Sequence, residues 1–174
     1  MNLIYRLGLL AALVISTLAG SGQSRSYRIY DEFSNHDGFT YLAFSKSMIN
    51  AVDLKLDEEN KKITGDLNEI RILVLNREKS NLGGSLPKII SEKFNKLNYK
   101  KVQPKDSDDS NNVEFWVEGD SKKVKECHVI VKDDKDNQFS CLVSFYGNFK
   151  VEDLDSFEKF SRRQADDTHS GNSK

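Results

Sequence analysis

"ECHVIVKDDKDNQFSCLVSFYG", Glu126–Gly147, holds both cysteines of the chain in two apolar runs either side of a charged turn. Side chains alternate across a strand. That puts Cys127, Val129 and Val131 on one face of the first run, and Phe139, Cys141, Val143 and Phe145 on one face of the second. Two strands joined by a short polar segment make a hairpin, so they run antiparallel. Matching their apolar faces leaves two registers. In one, Lys132 faces Asp136 across residues 133–135, and Cys127 lies opposite Cys141, within reach of a disulfide. In the other, Asp133 faces Asn137 and Cys127 meets Val143. The cysteines are then a diagonal pair about 7–8 Å apart, too far to bond without distortion. Cys127 and Cys141 are therefore a disulfide candidate in the first register and buried thiols in the second. With no Cys-x-x-Cys, and with His128 on the opposite face, a metal or redox pair has little support.

Outward from the hairpin, "VEFWVEG" (113–119) alternates Val113, Phe115 and Val117 against Glu114, Trp116 and Glu118. "FTYLAFS" (39–45) follows the turn pair Asp37-Gly38 and reads as a strand. "SKSMINAV" reads as a short helix with Met48, Ile49 and Val52 on one side. "EIRILVLN" (69–76) is the strongest strand. Its Ile70, Ile72 and Val74 face one way and its Leu73 and Leu75 the other, as in the middle of a sheet. "LPKIISEKFNKLN" spaces Leu86, Ile89, Ile90, Phe94 and Leu97 as a helix, with Pro87 in its first turn and Asn98 fit to stop it. "YKKV" extends again, and "EDLDSFEKF" closes the domain as a helix with Leu154, Phe157 and Phe160 inward. The class expected is α+β: a two-layer sandwich of a mostly antiparallel sheet with helices packed on one face.

The N-terminus sets the compartment. Arg6 precedes an apolar stretch 13 residues long, Leu7–Ala19, and then small residues, the layout of a signal peptide. A membrane span needs about 20 such residues. Residues 1–22 are read as this leader, cut after Ala19 or after Gly22. Residues 23–30 are then a polar lead-in, 31–162 a single α+β domain and 163–174 a disordered tail. Ser21 stands where a bacterial lipoprotein has its lipidated cysteine, so no lipid anchor is expected. Nor is a transmembrane segment expected in the mature chain, which is placed in the periplasm or outside the cell.

"FTYLAFSKSMINAV", "LNEIRILVLN", "FNKLNYKKV", "VEFWVEGDSKKVKECHVIV" and "SFYGNFKVEDL" follow one another as in the domain of unknown function 4252, which the chain resembles over residues 31–160. The resemblance rests on that order of hydrophobic patterns, the Ile-Arg-Ile-Leu centre and a Gly147 turn before the last helix. It implies a small exported protein of a family found mainly in Bacteroidota and often lipidated. It brings no catalytic residues with it.

Charge argues against a nucleic-acid partner: 26 Lys and Arg balance 27 Asp and Glu. Lys122, Lys123 and Lys125 sit among acids, as on a solvated surface. His36, His128 and His169 are scattered at no metal-ligand spacing. "DSDDS" and "DDKDN" do not follow an EF-hand loop. "NLGGSLPK" lacks a phosphate loop's spacing. No catalytic residue, metal or cofactor is assigned. Trp116, between Glu114 and Glu118, is either packed under a helix or exposed as a binding aromatic. The leading reading is a non-enzymatic module that binds an envelope protein or cell-surface component through its sheet surface. The alternatives are a sensor or regulatory accessory of envelope signalling and an unrecognised hydrolase.

Overall fold

The computed structural model describes residues 23–51, 66–76, 79–80, 85–103, 112–120, 123–132, 139–150 and 153–170. The expected leader, with Ala19 and Gly22, lies outside the described residues, as do Val52 and the expected loop 133–135. The elements are α1 (Tyr27–Phe33), β1 (Phe39–Ser45), α2 (Lys46–Ala51), β2 (Asp66–Leu75), α3 (Leu86–Lys96), β3 (Lys100–Val102), β4 (Val113–Gly119), β5 (Val124–Lys132), β6 (Phe139–Phe149) and α4 (Leu154–Ser170). Among the described residues, six strands form one sheet in the order β1-β2-β6-β5-β4-β3, and every neighbouring pair is antiparallel. The chain is α+β, as expected.

The helices divide between two faces of the sheet instead of sharing one, which makes three layers. Ile70, Ile72 and Val74 of β2 and Cys127, Val129 and Val131 of β5 pack with Leu154, Phe157 and Phe160 of α4 and with Ile49 of α2. Leu73 and Leu75 of β2 and Ile130 of β5 point the other way, to Ile29, Tyr30 and Phe33 of α1 and Leu86, Ile90 and Phe94 of α3. Strands apolar on both sides need cover on both sides, because water on either would leave half of that area exposed.

Two segments read as polar flanks are ordered. Residues 27–33 form α1, whose Ile29, Tyr30 and Phe33 are buried. The closing helix continues through Arg163 to Ser170. Ala165 is buried there, and the buried Ser161 hydroxyl donates to the Phe157 carbonyl at 2.7 Å. Met48 is half exposed, and Ile49 is the inward residue of α2. Gly147 lies inside β6 opposite Leu67, not in a turn. A Cβ there would stand 1.9 Å from the Asp66 carbonyl oxygen, so only glycine fits.

The hairpin adopts neither expected register. Cys127 faces Phe145, Val129 faces Val143 and Val131 faces Cys141. A shift between Val131 and Lys132 then sets Lys132 against Phe139. The extra residue of that irregularity turns Phe139 to the α1/α3 face, away from Cys141.

Candidate functional site: a sealed polar centre and an open edge

The end of α3 places the first group of the polar centre. Asn98 takes a positive φ of 61°. The Tyr99 N–H then returns to the Phe94 carbonyl and the Asn98 N–H to the Asn95 carbonyl, both at 3.0 Å. This pair of hydrogen bonds back into the last turn ends the helix and aims Tyr99 at the sheet. The segment before α1 supplies two serines. The hydroxyls of Tyr99 and Ser24 donate to Glu126 Oε2 at 2.7 and 2.6 Å, and that of Ser26 stands 3.4 Å from the same oxygen. Ser26 Oγ also lies 2.8 Å from the Tyr146 hydroxyl. Burial disfavours a charged Glu126. The imidazole of His128 and the hydroxyls of Ser24 and Tyr99 outweigh it and hold the carboxyl at about 2.

His128 is fully buried, stacked on Phe94 at 4.6 Å with Tyr99 edge-on at 4.7 Å. Burial keeps it neutral by lowering its pKa, although the Glu126 charge pulls the other way. Its Nδ1 lies 2.7 Å from Ser144 Oγ, which is also hydrogen-bonded to the Tyr30 hydroxyl. Its Nε2 stands 3.4 Å from Glu126 Oε2 but outside hydrogen-bonding alignment. A carboxylate facing Nε2 favours the tautomer with the proton there, so Ser144 donates to Nδ1.

Beside this centre, Arg71 is caged. Its Nε donates to Glu69 Oε1 at 2.6 Å, and its guanidinium carbon lies 3.3 Å from the Tyr27 ring centroid and about 6 Å from those of Tyr30, Tyr41 and Tyr146. The Tyr27 hydroxyl donates to the same Glu69. Burial, aided by Glu69, raises the Tyr27 pKa to about 12.

Glutamate, histidine and serine together suggest a nucleophile and its base, but their arrangement differs from that of a working triad. Ser144 has no exposed surface and bonds to both Tyr30 and His128. A nucleophile must reach a substrate with its proton held by the base. In this closed arrangement the cluster ties the α1 segment and α3 to β5 and β6. Among the described residues no group of three or more His, Cys, Asp or Glu side chains gathers as metal ligands would.

The site residues read from sequence lie in three places. Cys127 and Cys141 are buried free thiols. They face the same side but stand four residues apart in register, roughly 13 Å along the strands. The disulfide candidate fails on that distance. Burial raises both thiol pKa values, and Cys141 Sγ points to the Ser161 carbonyl of α4 at 3.6 Å. Trp116 is only 7% exposed and packs against Phe94, so it is the helix-covered aromatic and not the exposed one. Glu114 is held by Lys132 at 2.9 Å, Lys101 at 3.0 Å and the Ser91 hydroxyl at 2.9 Å. These partners outweigh burial and keep its carboxyl at about 2. Glu118 pairs with Arg25 at 3.1 Å. The two line a depression of about 280 Å³ with Lys100 and Lys125.

Sequence reasoning missed the polar centre, because its members come from four separate segments. It read β1 as a strand without placing it. Among the described residues, β1 is the outermost strand on its side of the sheet. Its seven residues include no charge and no proline, and Leu42 is 44% exposed.

No curated protein and no solved structure matches the chain. The whole sheet, with α2 and α3, does fall within one family pattern, which matches residues 30–157, and on that match the chain belongs to the family described as a domain of unknown function, DUF4252.

Proposed function

We propose that the chain is an exported, non-enzymatic interaction module that meets its partner along the open edge of its sheet. The observation that carries this reading is β1. Outer strands of soluble proteins are normally guarded by lysine, proline or a bulge, and β1 has none of these over seven residues. Helices cover both faces of the sheet, so its faces are poorly placed for binding. The edge offers main-chain donors and acceptors to an added strand, a recurring way for a sheet to take up an extended segment. The leader pattern of residues 1–22 supports an envelope or extracellular setting.

The test is a charge on the edge. Leu42→Lys changes an exposed side chain and leaves the fold intact, with an unchanged circular dichroism spectrum and thermal midpoint. It is expected to abolish association of the purified protein, whether with itself or with a protein captured from envelope extract. Ile89→Lys, an equally mild change on exposed α3 surface, is expected to leave association untouched. Equal association by all three proteins would sink the reading. Fractionation of cells expressing the full chain checks the compartment: recovery in the cytosol with residues 1–22 attached argues against export.

A further inference from the structure

We infer that the strand received by β1 is that of a second copy of the chain, paired antiparallel about Leu42. This inference rests on the edge reading above. The Asn76 N–H donates to the Gly38 carbonyl at 2.7 Å, which continues the β1–β2 register by one pair. In an antiparallel ladder, residues that exchange bonds with a neighbour alternate with residues that turn their N–H and C=O away from it. Gly38, Thr40, Leu42 and Phe44 therefore bond to β2. Phe39, Tyr41, Ala43 and Ser45 present their main chain to the outside. The Phe39 N–H is already spent on the His36 carbonyl at 3.2 Å.

A two-fold axis at Leu42 pairs Tyr41 with Ala43 of the second copy, and Phe39 with Ser45. Every outward group then meets an outward group. This is the register that overlaps all seven residues. It forms about six main-chain hydrogen bonds, with the Phe39 N–H kept in its turn. The side chains fit the same axis. Leu42 meets Leu42, Thr40 meets Phe44, and large Tyr41 meets small Ala43.

Charge favours the same orientation. Asp37 precedes the strand, Lys46 follows it, and nothing charged lies between. Antiparallel copies bring each Asp37 towards the other copy's Lys46, whereas parallel copies set like against like. Lys46 holds Asp66 of β2 at 2.7 Å in an exposed pair, which keeps its charge at the end of the strand. The opposite edge of the sheet is different. β3 has three residues, two of them Lys100 and Lys101, and this is how an edge that avoids pairing is built.

The experiment is sedimentation of the purified protein, together with a cysteine at the axis. The Leu42 pair does not exchange main-chain bonds, so its Cα atoms lie about 4.5 Å apart, within disulfide range. Both native thiols are buried and stay silent. The wild type is expected to sediment as a dimer at micromolar concentration. Leu42→Cys should become a covalent dimer under mild oxidation, and Leu42→Lys should weaken dimerisation at least tenfold. A wild type that stays monomeric up to about 100 µM, or a Leu42→Cys protein that resists cross-linking while a cysteine elsewhere on the surface behaves identically, overturns the inference. If the wild type is monomeric yet Leu42→Lys still abolishes capture of a different protein, the second copy falls and the edge reading stands. If Leu42→Lys alters neither, both fall.

Discussion

On the α4 side of the sheet, Phe145 and Phe157 stack at 4.1 Å among valines, isoleucines and two thiols. On the α1/α3 side, the same strands carry Glu126, His128, Ser144 and Tyr146, and the space between the helices is filled by hydroxyls bonded to one carboxylate. The first side is held by volume, and its apolar contacts do not depend on pH. The second is held by direction. The donors and acceptors meet at fixed positions on both helix segments and both strands, so α1 and α3 are fixed in orientation as well as in distance. A helix resting only on oil can slide or rotate, whereas one whose flanking residue donates to Glu126 cannot do so without leaving buried polar groups unmatched.

The largest expected effect lies on the apolar side. Phe157 is fully buried between Phe145 and Phe149, so Phe157→Ala should cost about 3–5 kcal/mol. Urea unfolding would show this as a lower midpoint with an unchanged slope. The cost should be the same at pH 7 and pH 5. A marked pH dependence would break the contrast between the faces.

Glu126→Gln comes next. It keeps the shape and removes the charge that Ser24 and Tyr99 share, which should cost about 1.5–3 kcal/mol at pH 7. Its signature is in the pH dependence. Glu126 takes up a proton at about 2 when folded and near 4.5 when unfolded. A depressed carboxyl stabilises above its unfolded value and loses that contribution as pH falls through the folded one. The gap between wild type and Glu126→Gln should therefore be full above 4.5 and close progressively towards 2. His128 acts in the same direction from a higher starting point. Its folded pKa is lowered from 6.5, so acidification below 6.5 protonates the unfolded chain first and draws the equilibrium to it. A gap that stays constant between pH 5 and pH 2.5 would show that Glu126 carries no buried charge.

Tyr30→Phe should cost less, about 1 kcal/mol, by removing one neutral donor. Ser144 keeps His128 as its partner. The readout that separates a fixed orientation from mere packing is faster amide exchange in α1, with no change in α4. Equal acceleration in both helices would mean that the two faces unfold as one.

The sheet was legible and its layering was not, for separate reasons. β1 emerges with the expected ends, Phe39 and Ser45, because the Asp37-Gly38 turn and the next helix bound it. β2 announced apolar residues on both faces through Ile70, Leu73 and Ile72, which placed it in the middle of the sheet without saying which helix covers which face. Counting the amphipathic helices alone shows that each needs a face, not which one. α1 was missed because Tyr27, Tyr30 and Phe33 follow Gln23, Ser24, Arg25 and Ser26, whose polarity suggests solvent. Those serines are turned inward by a carboxylate about a hundred residues away, and local composition holds no trace of such a partner. The far end of α4 was missed for a related reason. Its inward positions are Ser161 and Ala165, one satisfied by its own helix and the other too small to register as core.

The smallest expected effect concerns the cysteines, whose register also was not legible, because Lys132 pairs with Phe139 at the turn end, beyond both expected registers, and a one-residue irregularity next to it shifts the pairing again. Cys127→Ala and Cys141→Ala should each cost about 1–2 kcal/mol as small buried deletions. Their costs should add to within about 0.5 kcal/mol, as for sites more than 7–10 Å apart. A bond between them would make the first substitution expensive and the second nearly free, so the coupling energy of the double-mutant cycle measures the register directly. Thiol labelling gives the same answer by another route. The folded protein should resist alkylation, and the denatured, unreduced protein should take up label at both positions. Strong coupling or fewer than two labels would place Cys141 beside Cys127 and undo the pairing of Cys127 with Phe145. The stacking of Phe145 on Phe157, from which the apolar face takes its largest predicted effect, would have to be rebuilt with it.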